Sequence, residues 1–184
     1  MRRWRVALAG LAAMVGVGVT TAVAPVAASA GAACATGWGS LAEQSARAST
    51  GHLTDVRAGS HACFDRLVLD VAGPAAGYHV SYVSRITQDG SGAVVPTRGG
   101  AALQVVARVP AYDGAGRPTY RPANRAELVG VAGWPTFRQV VWAGSFEGHT
   151  TVGVGVRARL PFRVFALAGP GTGSRLVIDV AHRW

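Results

Sequence analysis

Gly144-Ser145-Phe146-Glu147-Gly148 is the place where a serine, an acid and glycines stand close enough to suggest a nucleophile. A nucleophile elbow needs its serine at a fixed spacing between glycines, on a strand-to-helix turn. Ser145 directly follows Gly144, and no helical pattern comes after it. Glu147 and His149 are two apart and would share one face of a strand, but a metal site needs further ligands. Two residues flanking a surface turn are the plainer reading. The five histidines, His52, His61, His79, His149 and His182, are scattered. Asp70 and Asp179 could form a general acid and base, yet each lies in a strand-like stretch beside arginine, where ion pairing explains it better. Gly153-Val154-Gly155 and the 169–173 loop are glycine-rich but neither precedes a lysine nor opens a helix. A phosphate cradle needs backbone N–H groups at a helix start. No catalytic residue, cofactor or metal is assigned, and the expectation is a protein that is not an enzyme.

What remains is binding. Arg108, Arg138, Arg157 and Arg159 fall on outward positions of predicted strands, and Trp142 shares a strand face with Arg138. Arginine beside an aromatic ring suits sugars and carboxylate-bearing glycans. The competing reading makes Trp142 a core residue and leaves the arginines solvated. Apolar residues on both faces of that strand leave the choice open.

The elements that would position these residues are β-strands. Arg66-Leu67-Val68-Leu69-Asp70-Val71-Ala72 returns near the C-terminus as Arg175-Leu176-Val177-Ile178-Asp179-Val180-Ala181, with Ile178 for Leu69 the one change. Antiparallel pairing with Val68 opposite Val177 would bring Arg66 to Asp179 and Arg175 to Asp70, so that opposite charges meet at both ends. Pseudo-symmetry, with one copy in each of two sheets, and chance recurrence of common strand vocabulary are the alternatives.

From Leu53 onward the hydrophobic period is two. Leu67, Leu69 and Val71 share a face, as do Tyr78, Val80 and Tyr82, then Leu103, Val105, Ala107 and Val109. Phe137, Gln139 and Val141 alternate with Arg138, Val140 and Trp142, and Val152, Val154 and Val156 point inward opposite Gly153, Gly155, Arg157 and Arg159. Pro74, Pro110 and Pro161 end strands because proline cannot donate to a ladder. The 112–118 segment reads as an exposed loop. Ser40 and Glu43 form a capping-box pattern that predicts a short helix over Leu41–Ala48, and Asn124–Leu128 predicts a helical turn leading into a strand at Val129–Val131. Eight to ten short strands make an all-β fold, an antiparallel β-sandwich or barrel, with a short N-terminal helical segment.

Residues 1–30 read as a signal peptide. Arg2, Arg3 and Arg5 precede an uncharged apolar run from Val6 to Val19, and Ala28-Ser29-Ala30 offers a cleavage site. That run is shorter than the ~20 residues of a membrane-spanning helix, so the expected product is exported without a stable transmembrane anchor. Retention of the segment as an anchor, a twin-arginine signal at Arg2-Arg3 and a lipidated Cys34 are alternatives, the last two against unfavourable flanks. Residues 31–52 form an N-terminal segment carrying Trp38, and 53–184 the main domain. The net charge is +9, all basic residues are arginine, and three of them leave with the signal. Without an arginine run or basic amphipathic helix, this favours anionic envelope polymers over nucleic acid. Cys34 and Cys63 are the only cysteines. An even count in an exported chain points to one disulfide; a metal site using His61 and Cys63 lacks a second cluster.

Several stretches together resemble the AMIN-like domain of secreted and lipid-anchored actinobacterial proteins. They are Cys34-Ala35-Thr36-Gly37-Trp38-Gly39-Ser40, His61-Ala62-Cys63-Phe64-Asp65-Arg66-Leu67-Val68, Tyr112-Asp113, Phe137-Arg138-Gln139-Val140 with Trp142-Ala143-Gly144-Ser145-Phe146-Glu147-Gly148, Gly155-Val156-Arg157-Ala158-Arg159-Leu160-Pro161-Phe162-Arg163-Val164, and Ser174–Ala181. The resemblance spans Cys34 to Trp184. It implies a β-sandwich of two similar halves. The related AMIN domains accompany periplasmic amidases and outer-membrane secretins and bind or localise to peptidoglycan. This chain shows none of the amidase zinc ligands. The resemblance therefore implies a non-enzymatic exported domain that binds the cell envelope, through peptidoglycan or an attached anionic wall polymer. The alternative is a protein–protein interaction module of an envelope complex.

Overall fold

The computed structural model describes Cys34 and residues 37–184, and the signal segment expected over 1–30 lies outside these. Eleven strands follow one another: β1 (Glu43–Ser45), β2 (His52–Ser60), β3 (Phe64–Ala72), β4 (Tyr78–Val83), β5 (Ile86–Thr87), β6 (Val94–Val95), β7 (Ala101–Ala107), β8 (Phe137–Phe146), β9 (His149–Val156), β10 (Phe162–Ala168) and β11 (Ser174–Ala181). They form an antiparallel sandwich. One sheet has the order β1-β4-β7-β9-β8, the other β10-β11-β3-β2, and β5 and β6 make a separate two-stranded arm.

The period of two places the core between the sheets. Leu67, Leu69 and Val71 of β3 and Leu176, Ile178 and Val180 of β11 face Leu103 and Val105 of β7 and Val152, Val154 and Val156 of β9, all buried. Each such aliphatic side chain contributes about 1.5–3 kcal/mol by leaving water. The repeated strands are direct neighbours, with Val177 opposite Val68, Asp179 opposite Arg66 and Arg175 opposite Asp70. They share one sheet, which removes the version of the repeat that put one copy in each half.

Two expected helical stretches are not helices. Glu43–Ser45 pairs with Tyr78–Val80 as β1, and Glu43 uses its carboxylate on the Val164 N–H across the sandwich instead of capping its own turn. A tertiary partner thus replaces the local one that the capping-box pattern offered. Asn124–Leu128 is irregular, and Val129–Val131 is not a strand. Leu128 N–H donates to Val140 O and Trp142 N–H to Arg125 O, so this segment runs along the outer edge of β8.

The alternation in β8 is also shifted. Its pairing with β9 slips between Phe137 and Gln139 and again between Trp142 and Gly144. An inserted residue at such a bulge reverses the face of everything after it. Phe137, Val140 and Trp142 therefore all join the main core, while Val141 and Ala143 pack with Ile86 in a second cluster. That second cluster lies under the β5–β6 arm. Gly153 and Gly155 permit it: a Cβ on Gly153 would come within 2.7 Å of Ile86, and one on Gly155 within 1.8 Å of the Arg98 carbonyl oxygen. The outer face of β9 is covered, not solvated.

Candidate functional site

Two regions concentrate arginine and aromatic side chains. The first is the outer face of the four-stranded sheet. The Asp179 carboxylate is fully buried and receives Arg66 through Nε at 2.6 Å and Nη2 at 2.9 Å, and Arg163 through Nε at 2.9 Å. Arg163 also lies 4.4 Å from the Trp38 ring centre and 5.0 Å from that of Phe165, and Arg66 lies 5.1 Å from Phe64. The hydrogen bond to Asp179 raises the Arg66 pKa, against the opposing effect of burial. Trp38, the Cys34–Cys63 disulfide and the Gly39–Phe162 bridge fix the N-terminal segment onto this sheet.

A neighbouring buried carboxylate, Asp65, is equally occupied. It accepts from the N–H groups of Thr136 and Phe137 at 2.9 and 2.8 Å and from Ser60 Oγ at 2.7 Å, and His182 Nε2 lies 3.2 Å away. It ties β3 to the start of β8. Asp70 and Arg175 stand opposite in register but do not pair: Arg57 takes Asp70, and Arg175 donates to the Ala168 carbonyl oxygen. The bulge in β2 between Leu53 and Asp55 accompanies that exchange. The carboxylates that looked like acid–base candidates are thus held in structural bonds.

The second region is a groove beside β8. Its centre is Trp142 and Arg125, which line two adjoining depressions of about 550 and 450 Å³. Gln139 builds one side, accepting from Arg98 N–H at 2.6 Å and donating to Ala126 O at 2.8 Å. That bridge joins the end of the β5–β6 arm to the 121–130 segment across β8. The other side is the 110–122 loop. Tyr112 OH accepts from Gly148 N–H at 3.0 Å, and Ser145 Oγ accepts from Ala111 N–H at 2.9 Å. Asp113 closes the loop on itself by accepting from the Arg117 and Ala115 N–H groups, and these bonds with the Arg117 side chain lower its pKa. Ser145, weighed above as a nucleophile, is thus a bracket between loop and hairpin.

Within the groove Tyr120 lies 5.4 Å from Trp142, ring centre to ring centre. Burial, with a smaller contribution from the Asp55 charge, raises the Tyr120 pKa. Arg121 and Arg125 are exposed, and neither guanidinium has an ion pair or hydrogen bond among the described residues. Arg98 is different: it pairs with Glu127 and donates to the Arg138 carbonyl oxygen.

The residues expected to form a binding surface are spread out. Trp142 is buried at the base of the groove. Arg138 turns back onto the carbonyl oxygens of Trp134 and Phe137, Arg157 onto that of His182, and Arg159 onto Ser40 with its guanidinium 5.2 Å from the Tyr82 ring centre. Arg108 follows the opposite end of β7, roughly 20 Å away at the rise of an extended strand. The strand pattern missed Tyr120, Arg121 and Arg125 because they lie in irregular backbone. The available signal was compositional: Tyr120-Arg121-Pro122 with Arg125 is a short basic, aromatic and proline-rich stretch. No three His, Cys, Asp or Glu side chains among the described residues gather to hold a metal, and no described helix is long and apolar enough to cross a membrane.

A family model for the AMIN-like domain matches residues 51–182. The chain belongs to the AMIN-like domain family. The matched stretch contains every strand except β1, so both repeat copies and both walls of the groove lie within the AMIN-like domain. Comparison with curated proteins and with solved structures finds no match. AMIN-like membership points to an envelope-associated, non-catalytic binding domain, and the disulfide is consistent with an extracytoplasmic location.

Proposed function

We propose that this AMIN-like domain is exported, loses residues 1–30, and binds the cell wall through the groove at Trp142 and Arg125. The ligand class is peptidoglycan or an anionic polymer attached to it. One observation carries this reading: Arg121 and Arg125 have no ion-pair partner among the described residues and sit beside the Tyr120 and Trp142 rings, whereas the other aromatic–arginine cluster has its charges met from within. Guanidinium groups free to form charge-assisted bonds recognise carboxylate and phosphate, and aromatic rings cover the apolar faces of sugars. Trp142 carries over from the surface expected from sequence; Arg108, Arg138, Arg157 and Arg159 would add a diffuse positive field.

The test is retention of the purified protein on isolated sacculi, before and after removal of anionic polymers. Retention that falls as salt rises, and falls again in the Arg121→Ala/Arg125→Ala variant, is the expected result. Absence of retention at low salt would sink the wall-binding reading. A protein–protein interaction role is the second reading, favoured by an open strand edge on the far side of the sandwich.

A further inference from the structure

β10 is the edge of its sheet; its first half is covered, and in its second half Arg175 meets only the Ala168 carbonyl oxygen. Phe162 N–H donates to Gly39 O at 2.8 Å and Val164 N–H to the Glu43 carboxylate at 3.1 Å. Alternation along a strand aims the N–H groups of Ala166 and Ala168 to the same side. β1 ends at Ser45, before it reaches them. Ala166, Leu167 and Ala168 are exposed, and the Ala166 backbone N–H and C=O have no partner on that side among the described residues.

The open edge forms one wall of a cleft of about 600 Å³, with Ser45 and Arg47 opposite and the 171–173 turn at its end. Ser174 also lines it; this residue is 5% exposed, and its Oγ has no hydrogen-bond partner among the described residues. Buried hydroxyls are nearly always satisfied, so an unpaired one on a residue that lines a cleft marks a place for a ligand's polar group. Arg47 is one of the lining residues, and Arg108 lies close by. A Cβ on Gly77, which sits between the lining residues Ala76 and Tyr78, would lie 2.4 Å from the Arg47 backbone oxygen and 2.9 Å from Arg108 Cδ. Neither guanidinium has a partner among the described residues, and no carboxylate lines the cleft.

We propose that this cleft is a docking site for an extended, acidic polypeptide segment that adds as a strand to the Ala166–Ala168 edge. Backbone bonds to Ala166 supply affinity that does not depend on sequence, and alternate side chains supply selectivity. Acidic side chains meet Arg47 and Arg108, and a small polar side chain reaches Ser174. The small side chains of Ala166 and Ala168 leave room for the added chain. The Glu43 carboxylate on Val164 N–H stops it from extending further along β10. The site is separate from the Trp142 groove, so either can fail without the other.

The probe is a blocked octapeptide of alternating glutamate and threonine, titrated into the isotopically labelled, disulfide-bonded protein and followed by amide chemical shifts. A matching lysine–threonine peptide is the control. The expected result is saturable shifts at Ala166, Ala168 and Arg47 with a dissociation constant of about 1 mM or tighter. The lysine peptide is expected to give none. Arg47→Ala/Arg108→Ala should weaken binding at least about tenfold, the scale of losing charge-assisted bonds to two cations. Ala166→Pro should abolish binding while leaving the melting temperature and sacculus retention near those of the parent, because proline is tolerated where an edge N–H faces solvent. Equal shifts with both peptides, shifts confined to the groove around Arg125, or no shifts at several times that concentration would each overturn the proposal. So would slow hydrogen exchange at Ala166 in the free protein, which would mean that the edge is already covered.

Discussion

On the outer face of the four-stranded sheet, Arg66 and Arg163 converge on one fully buried carboxylate and lie against three aromatic rings. Beside β8, Arg121 and Arg125 lie next to Tyr120 and Trp142 with no acid among the described residues to meet them. The residue types are the same, but the electrostatics differ. A buried carboxylate that has lost its water must be paired, so the first cluster is bound to the integrity of the sheet. The second has its guanidinium groups in water, and removing them costs the fold little. Pairing, more than the presence of arginine, separates the structural cluster from the binding candidate.

Asp179→Ala gives the sharpest contrast. It leaves two guanidinium groups without their carboxylate and is expected to lower the unfolding free energy by about 3 kcal/mol, at the lower end for a broken buried pair because the arginines are partly exposed. The folded fraction should still be retained on sacculi. Urea denaturation together with the retention assay checks this; retention lost by a fully folded Asp179→Ala protein would merge the two regions into one site.

Gly155→Ala tests the scaffold of the groove. Its methyl would meet the Arg98 carbonyl oxygen, so the β5–β6 arm must shift. A loss of about 2–3 kcal/mol, the range for overpacking a close contact, is expected. Weaker sacculus retention should follow, because Arg98 N–H anchors Gln139 in the groove wall.

Arg121→Ala/Arg125→Ala should leave stability within about 0.5 kcal/mol, as for surface positions without special contacts, and reduce retention about tenfold, equivalent to about 1.4 kcal/mol. A large loss of stability with unchanged retention would invert the comparison.

The smallest expected effect concerns Glu43, whose pKa burial raises while the Val164 N–H bond opposes the rise. A carboxyl group with a folded pKa above its unfolded value binds more protons in the folded state. Its contribution is therefore fully present below the unfolded pKa, the ordinary value for a glutamate, and is lost as pH rises through the folded pKa. Glu43→Gln should flatten that part of the stability profile, measured as urea midpoints from mildly acidic to neutral pH.

The Arg66–Asp179 bond was legible from the sequence because antiparallel register fixes which residues face each other. The Asp70–Arg175 bond was not, since Arg57 on a third strand competes for the same carboxylate. The helix expected over Leu41–Ala48 failed for a similar reason: a local capping pattern is worth little beside strand pairing with β4 and a carboxylate bond to β10. The groove escaped because Tyr120, Arg121 and Arg125 lie in backbone without periodicity, and because the β8 bulges moved Trp142 to a face that simple alternation does not assign.

The amino-acid sequence by itself determined the all-β class, the shared faces of β3, β7 and β9, which residues would meet if the two repeat copies paired antiparallel, and the pairing of the only two cysteines. Each follows from local periodicity, register arithmetic or counting. Only the tertiary structure decided which arginines are paired, what covers Gly153 and Gly155, where the 121–130 segment lies and which strand edge stays open. Those outcomes depend on competition among partners far apart in the chain, and a charge or an N–H group is free or occupied only once every neighbour is in place.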